Sequence, residues 1–271
     1  MTPQPENRDA ATSASPVRGV VAVIPARLES TRLPRKPLIQ VAGKALIQHV
    51  WERTRQARLV SRVIIATDSP EVLDHAQGFG AEVFLTRRDH LTGSDRIGEV
   101  LRKVDGSIIL NVQGDEPEVA PEALDNLLRF FSENAEFDVA TLATSYPESL
   151  DLMDTAAVKV VFTASGRALY FSRSPIPGHK GGPRADGVPH YLHMGVYAYR
   201  REALLRFLSL PPSQLEQTES LEQLRFLEHG MKVGVLRTTH LMRGIDTETD
   251  LLDFRARAEP LGGIAPQEKV R

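Results

Sequence analysis

The chain has 271 residues, of which 41% are hydrophobic and 25% charged, a composition that suits one large globular α/β domain. It contains no cysteine, which excludes disulfide bonds, cysteine–zinc sites and cysteine nucleophiles. The formal net charge of -2 argues against nucleic-acid binding, and the sequence has no apolar run of about eighteen residues that would predict a membrane span.

The two ends of the chain differ from its middle. Residues 1–18 are rich in Pro, Ser, Ala and Thr and lack the apolar centre of a secretory signal, so we expect a disordered tail and a cytoplasmic protein. Residues 261–271 are predicted to form a C-terminal tail. Between them, residues 19–260 are predicted to form one domain with halves at 19–135 and 136–260.

Strands and helices alternate along the first half. Apolar segments predict buried strands at residues 20–25, 62–67, 82–86 and 107–112. Helices are predicted at residues 45–59, 70–78, 94–102 and 121–131, with Ser94 as the N-cap of the third. This order predicts βαβ units, a mostly parallel Rossmann-like sheet and helices on both faces. Ligands of such sheets bind at the carboxyl ends of the strands.

The second half predicts a mixed region. Strands are expected at residues 138–144, 158–162, 168–172, 193–199 and 232–236, and helices at 220–228 and 247–257. The final helix has Thr247 as its predicted N-cap and Asp250 at the capping-box position. Residues 175–189 are rich in proline and glycine, which predicts a long mobile loop.

A cationic loop follows the first strand. It carries four basic side chains within ten positions and two prolines that stiffen it: Arg27, Arg32, Arg35, Lys36, Pro34 and Pro37. Arginine matches phosphate oxygens with two parallel hydrogen bonds, and lysine supplies a compact charge. The sequence has neither GxxxxGK[ST] nor GxGxxG after this strand, so P-loop and dinucleotide-binding sites are not indicated. The pattern favours a nucleotide-phosphate site over a solvated basic loop.

Two aspartates are candidates for a magnesium site. Asp115 follows the apolar strand IILNV, and Asp246 lies in GIDT. Magnesium prefers oxygen ligands and commonly takes one or two carboxylates together with substrate phosphates. A turn or helix cap is the alternative for each aspartate, and for Asp246 alone that alternative is favoured.

Five polar residues of the second half do not indicate a site by themselves. His193 suits a hydrogen-bonded core histidine, and Arg173 a cation at the rim of a strand. Glu222, Gln223 and Arg225 lie on one predicted helix, where a solvated face with local charge pairs is the simpler interpretation.

The segment IPARLESTRLPRKPL resembles the cytidylyltransferases that activate 3-deoxy-manno-octulosonate (KDO). ATDSPEV, LTRRDHLTGSDRIGEV, NVQGDEP, VKVVF, ALYFSRSPIP, HMGVYAYR, LEQLRFLEHG and GIDTETDL follow the order and spacing of that family. The resemblance extends from about residue 20 to residue 257. Arg35 stands where a glycine is common, so its role is left open.

The resemblance implies a role for each candidate residue. CTP would be bound by Pro25, Ala26, Arg27, Arg32, Lys36, Thr67, Asp68, Arg87, Ser94 and Gln113. The acidic sugar would be bound by Gln113, Arg173, His193, Tyr197, Glu222, Gln223 and Arg225. The catalytic set would be Arg27, Lys36, Asp115 and Asp246, with Asp115 and Asp246 holding Mg²⁺.

The resemblance also implies the fold and the reaction. The fold would be that of the nucleotide-diphospho-sugar transferases, with a nucleotide-binding first half, a sugar-binding second half and a homodimer formed through that second half. CTP and KDO would give CMP-KDO and pyrophosphate for lipopolysaccharide biosynthesis, with no general base standing out. A cytidylyltransferase for sialic acid or an amino analogue of KDO, and a non-catalytic nucleotide-binding module, are the alternatives.

Overall fold

A computed structural model describes residues 19–180 and 189–258 of the chain. Both predicted tails, the last two residues of the predicted domain (259–260) and residues 181–188 of the predicted loop lie outside the described residues. Within the described residues, no helix is both long enough and apolar enough to span a membrane.

The strands and helices follow each other in nearly the predicted order. The strands are β1 (Val20–Ala26), β2 (Gln40–Val41), β3 (Lys44–Ala45), β4 (Arg62–Thr67), β5 (Glu82–Leu85), β6 (Ile108–Asn111), β7 (Val139–Ser145), β8 (Lys159–Phe162), β9 (Ala168–Ser172), β10 (Tyr191–Arg200) and β11 (Val233–Arg237). The helices are α1 (Leu46–Thr54), α2 (Pro70–Gly78), α3 (Gly93–Leu101), α4 (Pro121–Glu133), α5 (Arg201–Ser209), α6 (Gln214–Glu219), α7 (Leu224–Glu228) and α8 (Glu248–Ala258).

One mixed sheet contains strands from both halves of the chain. Its order is β11-β7-β10-β6-β1-β4-β5, with β8 and β9 attached beside β10. Strands β6, β1, β4 and β5 are parallel, as predicted. Strand β10 is antiparallel to both β6 and β7, so it joins the second half to the parallel centre. The predicted fold class is therefore confirmed.

Helices cover both faces of this sheet. Alternate residues of β1 point to opposite sides, and all except Pro25 are buried because both sides are covered. Val20, Ala22 and Ile24 belong to the core that α1 and α4 complete. Val21 and Val23 belong to the core that α3 and α5 complete. Burying each of these valine and isoleucine side chains contributes about 1.5–3 kcal/mol relative to leaving it exposed.

The predicted end of α1 and the predicted N-cap of α3 are wrong. Helix α1 ends at Thr54 rather than at residue 59, because the carboxylate of Asp125 accepts the backbone N–H groups of Arg58 and Leu59 at 3.1 and 2.9 Å and holds that segment in a turn. Ser94 is also not the N-cap of α3. Thr92 is the cap, and it forms a capping box with Asp95.

Further differences lie in short elements. Helix α7 begins at Leu224, four residues after the predicted start. The hairpin β2–β3 and the helices α5 and α6 were not predicted. Helix α5 starts directly after β10 with no turn residue between them, so the sequence gives no boundary signal there. The bounds of β4 and α2 match the prediction, and the Thr247–Asp250 capping box is confirmed.

Candidate active site

A cavity of about 380 Å³ opens at the carboxyl ends of β1 and β6. Parallel strands bring residues that are distant in sequence to the same edge of the sheet. The lining residues are Pro25, Ala26, Arg27, Glu29, Ser30, Thr31, Arg32, Lys36, Pro37, Gly93, Gln113, Gly114, Asp115 and Asp246. The cavity thus brings together all four predicted catalytic residues and most of the predicted nucleotide-binding set.

Lys36 holds the two predicted magnesium carboxylates together. Its Nζ lies 2.7 Å from Asp115 Oδ2 and 3.0 Å from Asp246 Oδ1, and it also donates to the carbonyl oxygen of Ile245 at 2.9 Å. Burial alone would lower the pKa of Lys36, but the two carboxylates outweigh burial and raise it. Lys36 is therefore a cation placed between two carboxylates that lie 79 and 210 residues further along the chain.

Of the three arginines in the loop, two lie beside the cavity and one lies outside it. Arg32 Nη2 lies 3.2 Å from Asp246 Oδ2, and Arg27 Nη2 donates to the carbonyl oxygen of His90 at 2.8 Å, so both remain beside the cavity. Arg35 instead forms an ion pair with Glu71 on α2. Its backbone is left-handed, with φ 58°, which explains why a glycine suits this position.

Gly114 is a site residue that the sequence analysis did not single out. A Cβ at this position would lie 2.6 Å from the carbonyl oxygen of Pro25. Any side chain would therefore push apart the loops after β1 and β6, which carry Lys36 and Asp115. The signal in the sequence is a glycine directly between two polar residues after a buried strand.

The predicted nucleoside wall is organised by a second missed residue, Arg96. This fully buried side chain donates to Asp68 Oδ2 at 2.8 Å and also bonds to Thr86. Thr67 is buried beside it and accepts the backbone N–H of Ser69 at 3.2 Å. A buried cation needs a carboxylate partner, and Asp68, directly after β4, is that partner for Arg96.

Arg87 lies outside the cavity. Its side chain is 70% exposed and pairs with Asp89 at 3.3 Å. It lines a separate surface cavity of about 620 Å³ next to α3 and α5. Its predicted role in reading the nucleoside stays a prediction.

Ser94 connects the predicted nucleotide-binding residues to the second half of the chain. It is buried as the second residue of α3, and its Oγ donates to Glu222 Oε2 at 2.7 Å. Burial raises the pKa of Glu222, although hydrogen bonds from Ser94 and Thr92 partly offset the effect. Two residues predicted for different substrates are therefore in direct contact.

Three predicted sugar-binding residues gather around an irregularity in β10. The pairing of β10 with β7 shifts register between Met194 and Tyr197. Gln113 Nε2 donates to the carbonyl oxygen of Gly195 inside this irregularity at 3.3 Å. The rings of His193 and Tyr197 lie 5.4 Å apart. The sequence-predicted pocket residues Gln113, His193 and Tyr197 thus share one region of the sheet.

His193 is held as a neutral side chain. Its Nε2 lies 3.0 Å from Thr141 Oγ1, and its ring packs edge-on against Phe171 at 5.0 Å. Burial lowers the pKa of His193 to about 3. The imidazole can therefore offer a hydrogen bond to a ligand but no positive charge at neutral pH.

Arg173 and Arg225 use their guanidinium groups within the protein. Arg173 donates to the carbonyl oxygens of Glu219, Thr155 and Ser220 at 2.6, 2.8 and 3.0 Å. Arg225 makes a two-point contact with Glu216, whose Oε2 lies 2.7 Å from its Nε. Contact with a sugar stays a prediction for both arginines.

Gln223 is buried at the start of α7, where it is the N-cap residue. Its predicted contact with the sugar also stays a prediction.

Glu116 is a third residue that the sequence analysis missed. It is 8% exposed, and its Oε2 has no hydrogen-bond partner within the described part of the chain. Burial, and then the neighbouring Asp115, raise the pKa of Glu116 to about 8. A Cβ on Gly195 would lie 3.2 Å from its Oε1, so the residue supports the region where Gln113 meets β10.

The donor set fits magnesium. Asp115 and Asp246 already share one cation, the ammonium of Lys36, so their oxygens converge on a common positive charge. Among residues 19–180 and 189–258, no cluster of three or more His, Cys, Asp or Glu side chains could hold a metal. Two hard carboxylates completed by phosphate oxygens are the arrangement that Mg²⁺ commonly takes.

The chain is similar to known enzymes over most of its length. A family model described as cytidylyltransferase matches residues 21–233. The 3-deoxy-manno-octulosonate cytidylyltransferase of Geobacter sulfurreducens is 44% identical over 240 residues, covering 86% of this chain and 96% of the relative. The enzyme of the same name from Syntrophotalea carbinolica is 42% identical over 250 residues, covering 89% and 99%.

A solved structure agrees in fold and sequence. The structure of CMP:2-keto-3-deoxy-manno-octonic acid synthetase complexed with CTP has a TM-score of 0.83 and 41% identity, covering 88% of this chain and 98% of that chain. The resemblance drawn from the sequence motifs is therefore confirmed. The chain belongs to the cytidylyltransferase family, and within it to the 3-deoxy-manno-octulosonate cytidylyltransferases.

Proposed function

We propose that this protein transfers the cytidylyl group of CTP to KDO and releases pyrophosphate. The observation that carries the proposal is the placement of Asp115, Asp246, Lys36 and Arg32 at one cavity, in a chain of this family. Two carboxylates for a metal and several cations for phosphates are what a nucleotidyl transfer needs. A module that only binds a nucleotide rarely needs both carboxylates.

The proposed reaction is an in-line displacement. The anomeric hydroxyl oxygen of the sugar forms a bond to the α-phosphorus of CTP, and the bond between the α-phosphorus and the bridging oxygen to the β-phosphate breaks. Arg27, Arg32 and Lys36 neutralise the charge that develops on the departing pyrophosphate. The hydroxyl proton passes to solvent. The protein contributes positioning and charge rather than a covalent intermediate.

The proposed cofactor is Mg²⁺, held by Asp115 and Asp246. When bound, it supplies positive charge to the α-phosphate and lowers the pKa of the attacking hydroxyl. Lys36 lies between these carboxylates, and it would donate to phosphate oxygens when the nucleotide is bound. Its three ammonium protons allow that exchange of acceptors.

The proposed sugar pocket lies around the irregular part of β10. Gln113, His193 and Tyr197 offer hydrogen-bonding atoms to the sugar hydroxyls there. Arg173 would recognise the sugar carboxylate by exchanging a backbone carbonyl for a charged partner, which forms the stronger hydrogen bond. Glu222 links this pocket to Ser94 and so to the nucleotide side.

Pyrophosphate release tests the proposed function. The purified protein is mixed with CTP, Mg²⁺ and one acidic sugar from a panel of KDO, an amino analogue of KDO and a sialic acid. We expect release with KDO to exceed release with the other sugars. Preferred turnover of another sugar would contradict the assignment of KDO as the substrate. CTP binding without turnover of any sugar would contradict the enzymatic function and support a non-catalytic nucleotide-binding module.

The proposal also includes the oligomeric state, the place of action and the use of the product, which are inferred from the family. We expect a homodimer formed through the second half, cytoplasmic action where CTP is available, and a product used for lipopolysaccharide. Light scattering coupled to size exclusion measures the oligomeric state, and a monomer at micromolar concentration would contradict the dimer.

A further inference from the structure

Residues 86–92 connect β5 to α3 and pass beside the proposed CTP site. Arg27 Nη2 donates to the carbonyl oxygen of His90 in this segment at 2.8 Å. At the end of the segment, a Cβ on Gly93 would lie 3.3 Å from Pro25 Cγ, so the backbone touches the cavity wall. The position of this segment therefore sets where the guanidinium of Arg27 is held.

One carboxylate oxygen on α3 fixes two points of the segment. Glu99 Oε2 accepts the backbone N–H of Arg87 at 3.0 Å and lies 2.6 Å from His90 Nε2. The side chains of His90 and Glu99 are 9% and 19% exposed. Burial alone would raise the pKa of Glu99, but the hydrogen bonds from Arg87 and His90 outweigh burial and lower it. Glu99 is thus an ionised acceptor at neutral pH.

The support behind Glu99 is rigid. Helix α3 buries Ile97 and Val100 completely against the sheet. Its first turn is closed by the capping box in which Thr92 N donates to Asp95 Oδ2 at 3.1 Å and Asp95 N donates to Thr92 Oγ1 at 3.1 Å. The segment is therefore attached to α3 at its end through Asp95 and at its beginning and middle through Glu99.

We propose that Glu99 and His90 are positioning residues for Arg27, acting through the His90 carbonyl to hold the arginine toward the phosphates of CTP. This inference rests on the proposed function. The side chain of Arg27 is exposed and long, so without an anchored acceptor it must be ordered when the nucleotide binds. The entropy lost in ordering the Arg27 side chain would weaken the binding of CTP and leave the binding of the sugar unchanged.

The test is a double-mutant cycle between positions 99 and 27. We expect Glu99→Ala to raise the KM for CTP about tenfold and to leave the KM for KDO unchanged. In an Arg27→Ala background, the same change should raise the KM for CTP less than about twofold, because the residue it positions is absent. Glu99→Gln, which keeps one acceptor oxygen, should lie between Glu99→Ala and the wild type.

Glu82→Ala is the matched control. Glu82 also receives a two-point contact, from Arg62, but at the amino ends of β4 and β5, away from the site. Glu82→Ala should therefore leave the KM for CTP and the KM for KDO unchanged. If Glu99→Ala does not fold, His90→Ala removes the ring contact and keeps the carbonyl. Equal effects of Glu99→Ala with and without Arg27, or an effect on thermal stability alone, would overturn the inference.

Direct CTP binding separates this inference from the proposed function. The Kd for CTP is measured for the same variants in the presence of Mg²⁺. If the wild type releases no pyrophosphate with any acidic sugar, the proposed function fails, while coupling between positions 99 and 27 in CTP affinity still supports the positioning role. If turnover is normal and the coupling is absent, only the positioning role fails.

Discussion

The ammonium of Lys36 lies 2.7 Å from the carboxylate of Asp115, which joins the loop after β1 to the loop after β6. Because Asp246 shares the same ammonium, three distant parts of the chain meet at one charge cluster. The cluster is only partly buried, so its members can exchange partners when nucleotide and metal bind. Preorganised charge of this kind is worth most where the reaction develops negative charge.

Asp115→Asn should lower kcat at saturating Mg²⁺ by about 100-fold or more, because the amide keeps the shape of the side chain but loses the charge proposed to hold Mg²⁺. Pyrophosphate release measures the effect, and a thermal unfolding curve shows that the variant is folded. Near-normal turnover would remove Asp115 from the metal site.

Arg32→Ala should raise the KM for CTP by about tenfold, since one cation of the phosphate site is lost. Arg35→Ala is its matched control, because Arg35 is three residues away and pairs with Glu71 outside the cavity. We expect its KM for CTP to match that of the wild type. Equal effects of the two substitutions would mean that the loop contributes only its overall charge.

Asp68→Ala should lower the free energy of unfolding by about 3–5 kcal/mol, because it leaves the buried guanidinium of Arg96 without its carboxylate. Asp68→Asn should cost less, since it keeps an acceptor oxygen. Asp89→Ala is the control. The ion pair of Asp89 with Arg87 is exposed, so this substitution should lower the free energy of unfolding by at most about 1 kcal/mol. Urea unfolding measures all three, and equal losses at positions 68 and 89 would contradict the buried-pair argument.

We expect His193 to make the stability of the protein depend on pH. Its folded pKa is about 3 and its ordinary value 6.5, so between these values the unfolded chain binds more protons than the folded chain. Stability that is present above pH 6.5 is therefore lost as the pH falls, by about 2 kcal/mol at pH 5. His193→Gln removes this titration.

Unfolding free energies at about pH 7.5 and pH 5 measure this contribution. The wild type should lose about 2 kcal/mol more than His193→Gln over that interval. The comparison uses the difference between the two pH values, so a general loss of stability in the variant does not affect it. Parallel pH profiles would show that His193 is protonated equally in both states.

The parallel half of the fold is the part that sequence patterns predict well. Segments with an apolar centre, such as residues 62–67, predict the strand bounds well because parallel strands are buried on both faces. The end of α1 was missed because the carboxylate of Asp125, far along the chain, accepts the backbone N–H groups of Arg58 and Leu59 in the segment after the helix. Such a contact has no local signal.

The candidate site also contains residues that could be predicted from the sequence and residues that could not. The residues after β1 and β6 could be placed at one edge from topology alone, and Lys36, Asp115 and Asp246 are found together there. Arg96 was missed because its role depends on complete burial against Asp68, which spacing does not reveal. Arg173 and Arg225 show the reverse: the family motif marks them, whereas their contacts here are with the protein itself.

The insertion of β10 between β6 and β7 has a consequence for the order of synthesis. Strand β6 is complete at Asn111, but its antiparallel neighbour begins only at Tyr191. A nascent chain therefore leaves the ribosome with the wholly buried β6 still unpaired on one edge, an arrangement that invites non-native strand pairing. The sheet becomes one cooperative unit only when β10 emerges, so a product truncated before residue 191 should aggregate rather than survive as a nucleotide-binding fragment.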